Sequence, residues 1–413
     1  MIRNRKPGLR VAVMIAVLAL VAAACSPSDG TDTTEAAGDP TTTAGAAATT
    51  TEAPGTTVPA ATTTEAPMAV CDGTIGSIIP ITGPVAFIGE VQRNWSQYAV
   101  DVYNEEHGTA YEFVEGDNMF DVAQSSVLAA QIIDDGSIMA LVGPAGSDQV
   151  DAAGAAFEQG DPTLTYISPS STRVGITAKY AGLFRTVPTD DDQGPTSADF
   201  MIESGATKVF IIDDQSSYST GLADIAAAAL EAGGVEVTRE SVAQDVTDFS
   251  ALVGTIADDT DWVYLPWQVA ANGQLLGNQL VEQGKEIPIF GSDGMDSGDF
   301  TIAGSVIAAF APDISSVEES ADLLEGFLAE YPETNTFGPP VFVAVTVIAE
   351  AYSRVCQSDG EITRAAVLAE VQATDQSSSI LGQPIAFSAD GDLIGGTFFF
   401  FEIQEDGTKV QLP

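Results

Sequence analysis

Residues 163–195 read TLTYISPSSTRVGITAKYAGLFRTVPTDDDQGP, and within them a β-branched run at 163–167 breaks into a loop of hydroxyls, Ser168-Pro169-Ser170-Ser171-Thr172. Hydroxyls and free backbone N–H groups at the carboxyl end of a strand suit a small carboxylate. The same residue types also build ordinary turns and helix caps. A second apolar run at 183–187 ends at Pro188, after which Thr189, Asp190, Asp191, Asp192 and Gly194-Pro195 mark a turn into a new helix.

Other apolar runs end in comparable loops. The run at 74–79 leads into Pro80-Ile81-Thr82-Gly83, then Phe87-Ile88-Gly89, and the run at 138–142 into Gly143-Pro144-Ala145-Gly146-Ser147-Asp148. Further along, runs deliver Asp213-Asp214-Gln215-Ser216-Ser217-Tyr218, Pro266-Trp267-Gln268 and Gly291-Ser292-Asp293-Gly294. Hydroxyl loops from the first half and aromatics with a carboxylate from the second are what a zwitterion held between two lobes requires. An anion needs donors and a cation an acceptor, and a charge closed off from water must be paired. Each residue also has a plainer role: Asp293 in a turn, Ser147 as the N-cap of the helix behind it, Tyr218 and Trp267 in a core.

The elements that position these loops alternate. Strand-length runs are expected at 74–79, 111–115, 138–142, 163–167, 208–212, 235–238, 262–265 and 288–290. Helical periods lie between them at 91–104, 122–134, 196–204, 221–232, 249–257 and 273–283. Such alternation specifies parallel sheets flanked by helices, and the length specifies two α/β lobes. Helices follow at 318–331, 341–355 and 364–372, and Phe398 to Phe401 lie in an apolar run at 397–403 that reads as a strand buried on both faces.

The chain has 413 residues, with 14 Lys+Arg against 59 Asp+Glu. That balance excludes nucleic acid as a partner, since phosphate binding needs clustered cations. One His and three Cys supply no metal cluster. There is no Gly-x-Ser-x-Gly elbow, and His107 stands in Asn104-Glu105-Glu106-His107-Gly108 without an evident partner, so an exported hydrolase is the weakest reading. No cofactor is implied.

Arg3, Arg5, Lys6 and Arg10 precede an apolar stretch at 11–21 and the small residues Ala22, Ala23 and Ala24, so residues 1–25 read as an export signal. Cys25 behind them resembles the lipobox of bacterial lipoproteins, with Ala22 where Leu is usual. Residues 26–68 are Thr/Ala/Pro-rich, contain ATTTEAP at 48–54 and 61–67, and cannot bury enough apolar surface to fold. As a coil this spacer reaches roughly 35 Å.

Ile167-Ser-Pro-Ser-Ser-Thr172, Phe184-Arg185-Thr186, Asp192-Gln193-Gly194-Pro195, QSSYSTGL at 215–222, Asp248-Phe249-Ser250 and Gly291-Ser292-Asp293-Gly294 occur in one order along the chain. This pattern closely resembles the leucine/isoleucine/valine-binding proteins of ABC importers, which are type I periplasmic binding proteins. The resemblance implies two Rossmann-like lobes joined by a three-strand hinge, with lobe one at 70–188 plus 312–384 and lobe two at 189–311 plus 385–413. It implies crossings near 188–192, 309–312 and 382–387. By the same resemblance Ser147 and Thr172 would hold a ligand carboxylate, the Ser170 carbonyl and Asp293 its ammonium, and Tyr218 would pack on it. Phe87, Ile88, Trp267 and Gln268 would shape the side-chain pocket. There the chain departs from the pattern, with Trp267-Gln268 in place of Gly-Tyr and Asp293 in place of Glu. With Cys25 taken by lipid, Cys71 and Cys356 remain as a pair, and an exported protein favours a disulfide between them.

The function expected is a lipid-anchored, extracytoplasmic solute-binding protein that captures an amino acid, branched-chain or another apolar one, and passes it to membrane permease subunits and their ATPase. The alternatives are a ligand-sensing surface receptor and an importer component for a short amide or an aromatic acid.

Overall fold

The computed structural model describes residues 70–358 and 361–413. The expected signal, Cys25 and the spacer lie outside the described residues.

Lobe one begins β1 (Asp72–Ser77), α1 (Ala86–His107), β2 (Ala110–Val114), α2 (Val122–Asp134), β3 (Ile138–Val142), α3 (Ser147–Gly160), β4 (Thr165–Ser168) and β5 (Leu183–Arg185). Its sheet has the order β2-β1-β3-β4-β5, all parallel. Lobe two continues with α4 (Asp190–Glu203), β6 (Lys208–Asp213), α5 (Ser217–Ala232), β7 (Glu236–Ser241), α6 (Ser250–Val253), β8 (Trp262–Leu265), α7 (Ala270–Glu282), β9 (Ile289–Gly291) and β10 (Val306–Ala309). The chain then returns as α8 (Ala321–Glu330), α9 (Pro339–Gln357), α10 (Arg364–Gln372), β11 (Asp375–Gln376) and β12 (Ile385–Ala386). It ends with β13 (Phe399–Ile403) and β14 (Lys409–Gln411), which complete the second sheet, β14-β13-β10-β9-β8-β6-β7. The fold is therefore the α/β arrangement expected, with β13 antiparallel to β10 at one side of lobe two.

Helix α9 is apolar on nearly every face because it is enclosed in lobe one. Its Tyr352 hydroxyl takes the Ala140 N–H (2.8 Å) and donates to the Thr74 carbonyl (2.8 Å), filling the break where the β1–β3 register shifts between Thr74 and Ile75. The Cys71 and Cys356 sulfurs are bonded, joining the residue before β1 to the end of α9 across a sequence separation of 285. That link ties the first strand to the returning segment.

Three details differ from the expectation. The helix expected at 249–257 is only Ser250–Val253, because Gly254 follows and the Phe249 N–H is held by the Gln279 side chain (2.7 Å). Phe399 and Phe400 are half-buried rather than enclosed on both faces, since β13 is covered on one side by the three-residue β14. The segment after the expected third crossing at 382–387 still packs on lobe one. Residues 388–392 stay on lobe one: the Arg185 N–H donates to the Gly391 carbonyl (3.1 Å), and the Arg185 guanidinium pairs with Asp392 at 2.6 Å. Phe387 then bridges Leu393, and Gly396 passes against Pro188, so the first and third hinge strands touch.

Candidate functional site

Two loops of lobe one are sewn together by serines. Ser168 Oγ donates to the Pro144 carbonyl (2.6 Å) and accepts the Ser171 N–H (3.1 Å). Ser170 Oγ donates to the Ala145 carbonyl (3.0 Å) and accepts from Gln92 Nε2 (3.0 Å). Ser147 Oγ lies 3.0 Å from Ser171 Oγ. Ser147 is not the N-cap of α3: it is the first helical residue, behind Gly146, which provides no side-chain cap. A side chain at Gly146 would strike the Phe120 ring and Gln149, so a capping residue has no room there. The start of α3 therefore presents its N–H groups and the Ser147 hydroxyl together.

Behind this loop stands Arg185, wholly buried. Its Nη1 donates to the Ser171 and Arg173 carbonyls, both at 3.0 Å, and its Nε to Asp392 at 2.6 Å. The guanidinium thereby holds the peptide on each side of Thr172. Thr172 is fully buried, and its hydroxyl has no hydrogen-bond partner among the described residues.

Lobe two brings acids to the same place. Asp293 follows β9 and is buried. It accepts hydrogen bonds from the Tyr218 hydroxyl and from Gln193 Nε2 (2.6 Å). Gly294 behind it packs so tightly on the Trp267 carbonyl that a Cβ would come within 2.3 Å, which fixes the loop carrying the carboxylate. Burial pushes the Asp293 carboxyl up to about 6, although Tyr218 and Gln193 act against that rise.

Asp190, the first residue of α4, is also buried, and neither carboxyl oxygen has a partner at hydrogen-bond geometry among the described residues. Burial and then the charge of Asp293 raise its carboxyl well above the usual range, while the Thr172 hydroxyl nearby and Arg185 partly offset them. Neither acid has an ion-pair partner among the described residues. Arg185 is already committed to Asp392. Two buried carboxyl groups with no cation between them lie beside a hydroxyl loop in which Thr172 Oγ1 has no partner among the described residues, and a small molecule carrying an ammonium and a carboxylate would satisfy both.

The structure thus gathers Ser147, Ser170, Thr172, Tyr218 and Asp293 around one junction. It does not bring every expected pocket residue there. Trp267 turns into the core of lobe two, its indole N–H donating to the Ile212 carbonyl (2.6 Å) and its ring beside Phe249. Ile88 is buried in the core of lobe one. Both follow from side-chain direction, since neighbours in sequence cannot face one cleft together. Phe87 instead packs against the cores of both lobes, stands edge-on to Phe337, and lines an interlobe cavity of about 630 Å³ with Asp296, Thr336, Phe401 and Lys409. Gln268 is half-buried beside Gly294.

Sequence reasoning assigned no role to Asp190, Gln193 or Arg185. The signal was present for the first two: they are three apart at the start of a helix and so share a face. Arg185 offered none, because the clamp joins residues separated by up to 207 positions.

The model of the periplasmic binding protein family matches residues 73–408. A Leu/Ile/Val-binding protein of Rhizobium johnstonii is 29% identical over 353 residues, covering 82% of this chain and 93% of that protein. A branched-chain amino acid transporter substrate-binding protein of Streptococcus pneumoniae, solved with isoleucine, has a TM-score of 0.73 at 23% identity, covering 83% of this chain and all of that one. A solute-binding protein of an ABC transporter from Rhodopseudomonas palustris, solved with 3,4-dihydroxybenzoic acid, has a TM-score of 0.70 at 18% identity, covering 83% of this chain and 96% of that one.

Proposed function

The chain belongs to the periplasmic binding protein family, and we propose that it is the substrate-binding component of an ABC importer that takes an apolar α-amino acid, branched-chain in the first instance. The observation that carries this is the pair of buried acids, Asp190 and Asp293, without a cation, opposite the unpaired Thr172 hydroxyl. The ligand carboxylate is received by the Ser147 and Thr172 hydroxyls and the N–H groups at the start of α3. The ammonium goes to Asp293 with Asp190, and the Ser170 carbonyl takes a remaining proton. Tyr218 and Gln193 hold Asp293 in place, and Phe87 is the apolar surface nearest the opening. The ligand favours the closed arrangement by contacts available only when both lobes surround it. No bond is made or broken.

A second reading follows from the similarity to the dihydroxybenzoate-bound protein: an aromatic acid as ligand. Asp190 and Asp293 speak against it, because an anion without an ammonium leaves both acids unpaired in a closed cleft. A thermal-shift panel separates the two. A ligand at a thousand times its dissociation constant adds about 4 kcal/mol of apparent stability. Leucine, isoleucine or valine should shift the protein and benzoate should not; the reverse pattern rejects the amino-acid assignment.

The delivery scheme is part of the proposal. Export by residues 1–25, lipidation at Cys25 and the spacer at 26–68 would hold the lobes at the outer face of the membrane, within reach of the permease subunits. Cys25→Ser should release the protein from the detergent phase in a phase-partition assay; unchanged partition rejects the anchor.

A further inference from the structure

We infer that two pairs of side chains beside the ligand groups, Asp148 with Ser217 and Thr336 with Asp296, are interlobe latches that set the strength of the cleft for every ligand alike. On one flank Asp148, next to Ser147 on α3, accepts the Ser217 N–H (3.2 Å) and the Ser217 hydroxyl. Arg173 Nη1 reaches Ser217 Oγ at 2.5 Å and lies 3.8 Å from Asp148. Ser217 opens α5, so the Asp148 carboxylate also meets the positive end of a helix in the other lobe.

On the second flank Asp296 Oδ2 accepts the Thr336 hydroxyl at 2.5 Å and its N–H at 3.3 Å. Its Oδ1 is held by Lys409 Nζ at 2.5 Å. Although burial works the other way, Lys409 keeps this carboxyl below its ordinary range. Asp296 and Lys409 belong to the same lobe, so their pairing needs no closure; the Thr336 bonds do.

Ser147 and Asp148 are neighbours, as are Ser217 and Tyr218. One residue of each pair faces the ligand groups and the next, turned by about 100° on its helix, faces the opposite lobe. Because the latch bonds join the lobes, they exist only in the closed arrangement and add to its weight whatever lies inside. Where the closed state is the minor one without ligand, the apparent dissociation constant scales with that weight. The latch groups thus govern affinity without governing selectivity.

The readout by ligand rests on the amino-acid assignment proposed above, so the experiment has two arms. In the first, Ser217→Ala and Thr336→Val are titrated calorimetrically with leucine, isoleucine and valine. Each substitution should raise all three dissociation constants by one common factor, roughly tenfold to 150-fold, as expected for a hydrogen bond to a charged group. A change in the ratio between the three ligands, or no change in any of them, overturns the inference. The second arm uses no ligand. Fluorophores on Val127→Cys of α2 and Val281→Cys of α7, both exposed sites, report the interlobe distance. Removing either latch should shrink the short-distance, closed population of the single-molecule distribution by the same factor; a closed population that is unchanged overturns the inference even if amino acids prove not to bind at all.

Discussion

Asp293 and Asp190 carry opposite demands in the free and the liganded protein. Without ligand they are buried acids with no ion-pair partner among the described residues, and in the proposed binding mode they become the acceptors of the ligand's ammonium. Asp293→Asn should therefore weaken amino-acid binding by about 2–5 kcal/mol, the usual cost of removing one partner of a buried charged hydrogen bond. Calorimetry would read that loss. Asp190→Asn should raise the melting temperature of the ligand-free protein while weakening binding, since an unpaired buried acid disappears. A fall in both would mean that Asp190 is structural.

The pH dependence has a definite sign. The Asp293 carboxyl lies at about 6 in the fold against an ordinary value of 3.8. The folded state thus holds this proton more tightly than the unfolded one, and the stability it lends is full below pH 4 and lost as pH rises through about 6. The proposed ammonium contact needs the ionised form, so affinity should fall as pH drops through about 6. Proton release on binding, measured by calorimetry in buffers of different ionisation enthalpy, should be small at neutral pH and rise towards one proton as pH falls below about 6.

At the scale of elements, the hydroxyl loop behind β4 owes its shape to Arg185. Arg185→Met leaves the Ser171 and Arg173 carbonyls and Asp392 without their donor. It should destabilise lobe one by about 3–5 kcal/mol, the range for breaking a buried pair, and reduce binding beyond that of a folded control such as Trp267→Phe. If binding survives in protein that is still folded, the clamp does not position Thr172. The Cys71–Cys356 bond is a second long-range tie, and its reduction should lower stability by about 2–5 kcal/mol without altering which ligand is chosen.

These elements also show what was legible in the chain beforehand. Strand-length runs such as 138–142 and 208–212 announce a parallel sheet, because strands covered by helices on both faces are apolar throughout. The loops at their carboxyl ends follow from topology, and with them Ser147, Thr172 and Asp293. Side-chain direction within a loop does not follow, so Trp267 and Ile88 were expected in the pocket although both turn into cores. Asp190 looked like one acid of three in a turn, because its burial depends on the opposite lobe. The hold of residues 388–392 on lobe one rests on the Arg185–Asp392 pair, which joins distant segments and leaves no local mark.

At the scale of the molecule, two sheets of five and seven strands meet across three hinge strands, and the groups of opposite chemical demand lie on opposite sides of that junction. In the proposed binding mode neither lobe alone holds a complete site: Ser147 and Thr172 are in one and Asp190 and Asp293 in the other. A closing motion is what this division requires, and scattering should record a smaller radius of gyration with ligand than without. The acidic surface, 59 Asp+Glu against 14 Lys+Arg, is spread along the chain and is consistent with a solvated exterior.

The most direct test of the account compares leucine with its N-acetyl and carboxamide derivatives, and with benzoate, by titration calorimetry of the purified protein. Leucine should bind, with a large loss when either the ammonium or the carboxylate is masked, and benzoate should not bind. Equal binding of N-acetyl-leucine, or binding of benzoate in place of leucine, would contradict it, because Asp190 and Asp293 would then be closed into the cleft without a cation.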